Sequence, residues 1–266
     1  MAMASFMGNS GAMFNPLTPG AFGTQAPWAN AAGGSRAAAE PSTRTQQPIM
    51  TGTGVLALKY KDGVMLACDT LASYGSTALY RGIQRLSPVG DYTVIGGSGD
   101  ISDFQRIKNL LTELNCFDES YDDGCRMTPR DIHQYLGRVM YNRRNKFDPL
   151  WNQLIVAGFR DGKPFLGSVD LIGTMYEDDV MATGFGSYMA LPLLRKAGTE
   201  MSKEEAKKVM EDCLRVDYCR NCRATDVIQI ATVSAEGIEI GEPYKNSSYW
   251  DYEGFKNTNF RGPKSF

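Results

Sequence analysis

Residues 53–69 read Thr-Gly-Val-Leu-Ala-Leu-Lys-Tyr-Lys-Asp-Gly-Val-Met-Leu-Ala-Cys-Asp. Two mostly apolar runs flank Asp62-Gly63 in this stretch. An Asp-Gly pair between apolar runs is a strong hairpin signal, because glycine tolerates the backbone conformation that a tight turn needs. The stretch therefore predicts two antiparallel strands, the second of which ends at Asp69.

The same design recurs twice along the chain. Leu154 to Val169 turns at Arg160-Asp161-Gly162, and Val227 to Ile240 turns at Ala235-Glu236-Gly237. Apolar residues stand at both odd and even positions of these strands, which predicts sheets that are buried on both faces.

Helices are predicted between the hairpins. Apolar residues recur at helical spacing in four stretches. The stretches begin after Asp100, at Thr128-Pro129, at Ser187 (ending at Lys196) and at the capping pair Ser202 and Glu205. The order is strands, two helices, strands, two helices, strands. It favours an α+β fold, a four-layer αββα sandwich, although periodicity alone also allows a three-layer αβα fold.

Composition and charge narrow the classes of partner and cofactor. The 266 residues carry a net charge of −2 and a pI near 5.6, so we expect no nucleic-acid partner. No apolar run approaches the roughly 18 residues that span a bilayer, so we expect no membrane partner. The single histidine, His133, excludes multi-histidine metal sites. We expect no metal or cofactor, and we expect His133 on the surface or at an interface.

The six cysteines are too few for a disulfide framework in a chain of this length. We interpret them as reduced thiols of a cytoplasmic or nuclear protein, with Cys219 and Cys222 at a helix end. The sequon at Asn246 has no secretory signal that would expose it to glycosylation.

The two ends of the chain differ from its middle. Residues 1–44 are rich in Ala, Gly, Pro and Ser and show no apolar periodicity, so we expect a disordered, removable leader. Residues 45–242 form the predicted domain. Residues 243–266 are rich in aromatic residues without core periodicity, which indicates an arm that binds a partner.

One group of residues could form a catalytic site. Gly52-Thr53 opens the first strand, Asp69 ends the second, and Gly97-Ser98-Gly99-Asp100 is predicted to be a tight turn whose amides face an anion. If the chain were cut before Thr53, the free amine could serve as the base for its own hydroxyl. From spacing alone, a strand start and a turn residue remain the simpler interpretation.

The chain resembles proteasome β-subunits. The motifs are Thr45-Gln46-Gln47-Pro48-Ile49-Met50-Thr51-Gly52-Thr53, Asp69, Tyr74-Gly75-Ser76, Gly97-Ser98-Gly99-Asp100, Met140-Tyr141-Asn142-Arg143-Arg144-Asn145-Lys146-Phe147-Asp148-Pro149-Leu150-Trp151-Asn152, Ala182-Thr183-Gly184-Phe185-Gly186 and Pro192-Leu193-Leu194-Arg195. The resemblance covers residues 45–240 and implies the αββα sandwich of N-terminal-nucleophile hydrolases.

The resemblance also places the family's catalytic pattern on this chain. The nucleophilic threonine falls on Thr53 and the first aspartate on Asp69. The other positions have changed: the lysine falls on Arg85, the serine of Gly-Ser-Gly on Phe185, and the aspartate and serine of Arg-Asp-x-x-Ser on Asn221 and Ala224. Arginine is effectively always protonated and cannot relay a proton as lysine does. The resemblance therefore implies a vestigial site, in which Arg85 pairs with Asp69.

Further expectations follow from the resemblance. Without self-cleavage at Gly52-Thr53, trimming after Arg44 gives a mature chain that starts at Thr45. The expected partners are the other α and β subunits of the 20S particle, including the opposite β ring through residues 243–266, with assembly factors and regulatory particles as indirect partners. Two alternatives stay open: an active threonine peptidase that uses Thr53, and a free-standing amidohydrolase of the same fold.

Overall fold

The computed structural model describes residues 47–249, so the predicted leader and most of the predicted arm lie outside the described residues. The strands are β1 Met50–Gly52, β2 Val55–Tyr60, β3 Gly63–Asp69, β4 Leu71–Tyr74, β5 Thr77–Arg81, β6 Leu86–Val89, β7 Thr93–Asp100, β8 Asn152–Arg160, β9 Lys163–Val169, β10 Met175–Glu177, β11 Val180–Ala182, β12 Val227–Ser234, β13 Gly237–Ile240 and β14 Tyr244–Lys245. The helices are α1 Ile101–Ser120, α2 Pro129–Asn145, α3 Gly186–Met189, α4 Leu191–Ala197 and α5 Lys203–Arg220.

The strands form two antiparallel sheets. The eight-stranded sheet has the order β10-β9-β8-β7-β1-β4-β5, with β6 also paired to β7. The six-stranded sheet has the order β11-β2-β3-β12-β13, with β14 also paired to β12. The three predicted hairpins are β2–β3, β8–β9 and β12–β13, and all three are confirmed.

Three apolar layers hold these elements together. One lies between the two sheets and includes Val55, Leu66 and Ile155. A second packs α1 and α2 on the eight-stranded sheet, and a third packs α4 and α5 on the six-stranded sheet. Three apolar layers require four layers of secondary structure, so the αββα sandwich is confirmed and the three-layer alternative is wrong.

The helix starts follow the predicted capping chemistry. Thr128 and Asp131 form a capping box at the start of α2, and Ser202 and Glu205 form one at the start of α5. The stretch from Ser187 to Lys196 is predicted to be one short helix that Pro192 limits or kinks. It is instead α3 and α4, which meet at Ala190 just before the proline at the start of α4.

Two predictions about position are wrong. Residues 97–100 are not a turn but the end of strand β7, and Asp100 then caps α1 with its side chain. His133 is not on the surface: it is 1% exposed, and its Nε2 lies 3.0 Å from the Ser168 carbonyl. Gly167 makes room for the ring, since a Cβ there would lie 2.8 Å from it.

The described residues contain neither a candidate membrane-spanning helix nor a candidate metal cluster. None of the helices in this part of the chain combines the length and apolar character needed to cross a bilayer. No group of three or more metal-ligating side chains was found between residues 47 and 249. All six cysteines are free thiols, and Cys222, just beyond α5, is exposed.

Candidate functional site

Arg85 occupies the centre of the candidate site. Its side chain is fully buried and forms an ion pair with Asp69 through Nη2. Its Nε donates to the Asp69 carbonyl at 3.0 Å, and its Nη1 donates to the Thr53 carbonyl at 2.5 Å. The predicted Arg85–Asp69 pair is confirmed. A buried guanidinium with this many acceptors ties the end of β3 to the start of β2.

The Thr53 hydroxyl belongs to the same network. Its Oγ1 donates to the Asp69 carboxylate and accepts from Nη2 of Arg85 at 3.1 Å. The Thr53 nitrogen is an amide of the continuous chain, and the guanidinium cannot accept a proton near neutral pH. Among the described residues that contact the hydroxyl, only Asp69 has a group that can accept a proton, and that carboxylate is already paired with Arg85.

One further contact holds the Asp69 carboxylate. Its Oδ2 accepts from the Thr225 amide at 3.0 Å. Burial raises the pKa of Asp69, while Arg85 and the hydrogen bonds from Thr53 and Thr225 act in the opposite direction. The carboxylate is therefore committed to structural contacts from Thr53, from Arg85 and from the loop before β12.

The other predicted positions lie around this network. Phe185 and Asn221 line the same cleft as Thr53, which has a volume of about 310 Å³. Phe185 precedes α3 with no side-chain cap, and its ring is 54% exposed. Asn221 is buried, and its Oδ1 accepts from the Arg223 amide at 3.0 Å. Ala224 sits next to Thr225, whose amide binds Asp69.

The chain upstream of Thr53 fills the space between two strands. β1 pairs with β4 on one side, Thr51 opposite Ser73, and with β7 on the other, Gly52 opposite Gly99. The Ile49 amide then donates to Oδ2 of Asp100 at 2.9 Å. Any extended peptide that approached Thr53 between these strands would need the hydrogen-bonding edges that β1 already uses.

Sequence reasoning missed one titratable group beneath the site. Asp217 on α5 is 3% exposed, and its Oδ1 has no hydrogen-bond partner among the described residues. Burial, followed by repulsion from Asp69, raises the pKa of Asp217 to about 6. Asp217 lies on the inner face of α5, one turn before Asn221. That position is the sequence signal that could have identified it.

Arg44 and Thr45, the predicted processing positions, lie outside the described residues. The start of the predicted arm is described and is anchored. The Tyr244 hydroxyl donates to Glu211 at 2.6 Å, and Nδ2 of Asn246 donates to the Glu211 carbonyl at 2.7 Å. Asn246 is 6% exposed, so its side chain serves this anchor and is not presented to solvent.

Comparison with known proteins identifies clear relatives. The family model "Proteasome subunit" matches residues 49–233. The chain is 47% identical over 221 residues to "Proteasome subunit beta type-4" of Arabidopsis thaliana, covering 83% of this chain and 90% of the relative. It is 48% identical over 212 residues to the Dictyostelium discoideum protein of the same name, covering 78% and 82%. It is 43% identical over 227 residues to "Proteasome subunit beta type-7" of Saccharomyces cerevisiae, covering 81% and 82%.

Proposed function

The chain belongs to the proteasome subunit family, and we propose that it is a non-catalytic β-ring subunit of the 20S core particle. The similarity to beta type-4 proteins confirms the resemblance read from the sequence. Its role on this proposal is structural: it contributes to the wall of the proteolytic chamber and to ring pairing in ubiquitin- and ATP-dependent protein degradation. It acts with other α and β subunits, in the cytoplasm and nucleus.

The observation that carries the proposal is the buried pair of Arg85 and Asp69. An N-terminal threonine hydrolase needs a free amine and a group that can take up and release the hydroxyl proton. Here a permanently charged guanidinium donates to Thr53 Oγ1, and Phe185, Asn221 and Ala224 replace the supporting polar residues. General-base assistance contributes about 10²–10⁴-fold, and its loss together with the loss of these supporting residues is expected to remove useful turnover.

The strand β1 supports the same conclusion. It hydrogen-bonds to both β4 and β7, so the residues before Thr53 take the position that an extended substrate would need. Cleavage at Gly52-Thr53 would separate β1 from the rest of the chain. We therefore propose that the mature chain keeps these residues, that the leader 1–44 is removed after Arg44, and that the mature protein begins at Thr45.

The proposed subunit consists of a domain and a C-terminal arm. Residues 45–242 form the β-type domain, and residues 243–266 form an arm that extends to the opposite β ring. Tyr244 and Asn246 contact Glu211, so the first residues of the arm lie against α5. Assembly factors and regulatory particles are expected to contact this subunit only indirectly.

The proposal is tested with Thr53→Ala in purified particles. We expect the variant to incorporate normally and every peptidase activity of the particle to stay unchanged. A peptide epoxyketone, which needs both a hydroxyl and a free amine, should leave Thr53 unlabelled in wild-type particles. Loss of one peptidase activity in fully assembled Thr53→Ala particles would instead establish the active threonine peptidase. Turnover of a peptide by this chain alone would support either enzyme alternative, the threonine peptidase or the free-standing amidohydrolase.

A further inference from the structure

The cleft beside Thr53 remains open even though β1 lies in the sheet next to it. Its volume of about 310 Å³ falls at the lower end of the range for ligand pockets, about 300–1,000 Å³. β1 already uses the facing edges of β4 and β7, so a long extended peptide cannot pair with those edges. The cleft therefore has room for a small molecule or for the end of a chain.

Apolar side chains form part of the lining of this cleft. Pro48, Leu171 and Phe185 all border it, and Phe185 is 54% exposed. A half-exposed aromatic ring in a concave site gains buried apolar area when an apolar group covers it. The cleft therefore favours a ligand that has an apolar side chain.

The lining of the cleft carries a positive charge. Among the described residues that line it, none is Asp or Glu, and Arg223 is the one charged side chain. Arg223 is exposed, and no carboxylate of residues 47–249 lies within ion-pair distance of it. A guanidinium forms charge-assisted hydrogen bonds with carboxylates, which match its planar fork of donors. The cleft is therefore complementary to a carboxylate.

Two residues that line the cleft each carry a buried polar atom with no hydrogen-bond partner in the described part of the chain. These atoms are Nε1 of Trp151, a donor, and Oδ1 of Asn152, an acceptor. The Asn152 amide is fixed in this orientation, because its Nδ2 donates to the carbonyls of Ser98 at 3.0 Å and Asp100 at 2.7 Å. An unpaired buried polar atom costs about 1–3 kcal/mol, so a ligand that pairs with both atoms gains free energy.

We propose that this cleft binds the carboxyl end of a short peptide whose last side chain is apolar. The terminal carboxylate accepts from Arg223, the last amide N–H donates to Oδ1 of Asn152, and the apolar side chain covers Phe185. A carbonyl of the same peptide accepts from Nε1 of Trp151. The peptide is bound without any bond being made or broken. That the proteolytic chamber supplies such peptides rests on the proposed function, whereas the site itself rests on the residues named here.

The lining of the cleft disfavours other classes of ligand. A metal ion or an amine would be repelled by Arg223 and would meet no carboxylate among the described lining residues. A phosphate group carries about two negative charges, whereas this lining offers a single cation. A purely apolar molecule would leave Arg223 and Asn152 without partners. A peptide carboxyl end supplies a single negative charge, an amide donor, a carbonyl acceptor and an apolar side chain, so it matches every one of these features.

The first test is photoaffinity labelling of intact particles whose peptidase activities have been blocked with an epoxyketone. The probe is N-acetyl-alanyl-photoleucine, which has a diazirine in its leucine side chain, and the matched control is the C-terminal amide of the same probe. We expect the carboxylate probe to label residues of the cleft lining about tenfold more than the amide does, and excess N-acetyl-alanyl-leucine to prevent this labelling. No adduct in this chain, adducts only outside the cleft lining, or equal labelling by the two probes would overturn the proposal.

The second test removes the cation. Arg223→Gln should lower labelling by the carboxylate probe about tenfold, the equivalent of 1.4 kcal/mol, and leave labelling by the amide unchanged. The matched control is Arg220→Gln, a neighbouring exposed arginine outside the cleft lining, which should label like the wild type. Both variants are measured in assembled particles, so a chain that fails to fold does not enter the comparison. A preference for the carboxylate that persists in Arg223→Gln would overturn the proposal.

This proposal and the proposed function fail separately. A cleft that does not bind the carboxylate probe would leave the non-catalytic assignment standing, because Thr53→Ala tests that assignment. Loss of a peptidase activity in Thr53→Ala particles would contradict the non-catalytic assignment, but it would leave Arg223, Asn152 and the preference for carboxylates in place.

Discussion

A methyl group built on Gly52 would lie 2.7 Å from Cδ of Arg85, inside the space that the buried guanidinium side chain fills. Arg85 cannot easily move away, because its nitrogens donate to Thr53, Gly54 and Asp69. The Gly-Thr pair that resembles a cleavage site therefore has a packing reason to exist. Glycine at position 52 leaves the space that the Arg85 side chain occupies.

We expect Gly52→Ala to destabilise the chain by about 1–3 kcal/mol, the usual cost of overpacking. The control is Gly241→Ala, where the new methyl group would lie 3.4 Å from the Ile230 carbonyl, an ordinary contact. Urea unfolding of the isolated full-length chain measures both. The double variant Gly52→Ala, Arg85→Ala should lose little more unfolding free energy than Arg85→Ala alone, because the two residues are in contact. Additive costs would show that the pair is not coupled.

Arg85→Ala should cost about 3–5 kcal/mol, since it leaves the Asp69 carboxylate buried without a cation. Arg85→Lys should cost less, because it keeps a charge but lacks the planar fork that reaches several carbonyls. Neither variant should show peptidase activity. A peptide-hydrolysis assay on particles containing Arg85→Lys is the direct check, and a new activity sensitive to Thr53→Ala would show that the lysine alone was missing.

Asp217 should make stability depend on pH. Its pKa is raised from 3.8 to about 6, so the protonated form favours folding, and this contribution is lost as the pH rises through about 6. Asp217→Asn should therefore raise the unfolding free energy at pH 7.5 by about 1–2 kcal/mol after allowance for solvent screening, with a smaller gain at pH 5. Asp212→Asn, an exposed position on the same helix, is the control. An unchanged pH profile in Asp217→Asn would refute this role.

Limited proteolysis can test whether these contacts anchor the arm. Asn246→Ala removes the hydrogen bond to the Glu211 carbonyl, which is worth about 1 kcal/mol, and should speed cleavage between residues 243 and 249 by limited proteolysis. Lys245→Ala, whose ammonium is exposed and 3.2 Å from Asp226, should have a smaller effect. Equal cleavage rates for wild type and Asn246→Ala would show that the arm is held elsewhere.

The sequence predicted the hairpins because Asp-Gly turns and apolar runs are local signals. It did not predict β5, because a strand whose residues are all exposed shows no alternation of buried and exposed positions. It also misplaced His133, whose polarity suggested the surface, although its helical spacing to Leu136 and Met140 puts it on the buried face.

Some residues of the candidate site could likewise be predicted from the sequence, and others could not. Thr53 and Asp69 could be singled out from the ends of two strands. The contact with Arg85 could not be derived from spacing, because the arginine reaches the site from the loop before β6, and only the resemblance placed it there. Asp217 escaped notice because it comes from a distant helix, and its raised pKa depends on tertiary burial.

The most direct test of the non-catalytic assignment is the intact mass and N-terminal sequence of the chain isolated from purified particles. We predict a start at Thr45, with Thr53 internal and its nitrogen in a peptide bond. A start at Thr53 would mean that cleavage after Gly52 does occur, that β1 is lost from the sheet, and that a free threonine amine faces Asp69. That result would contradict the non-catalytic assignment.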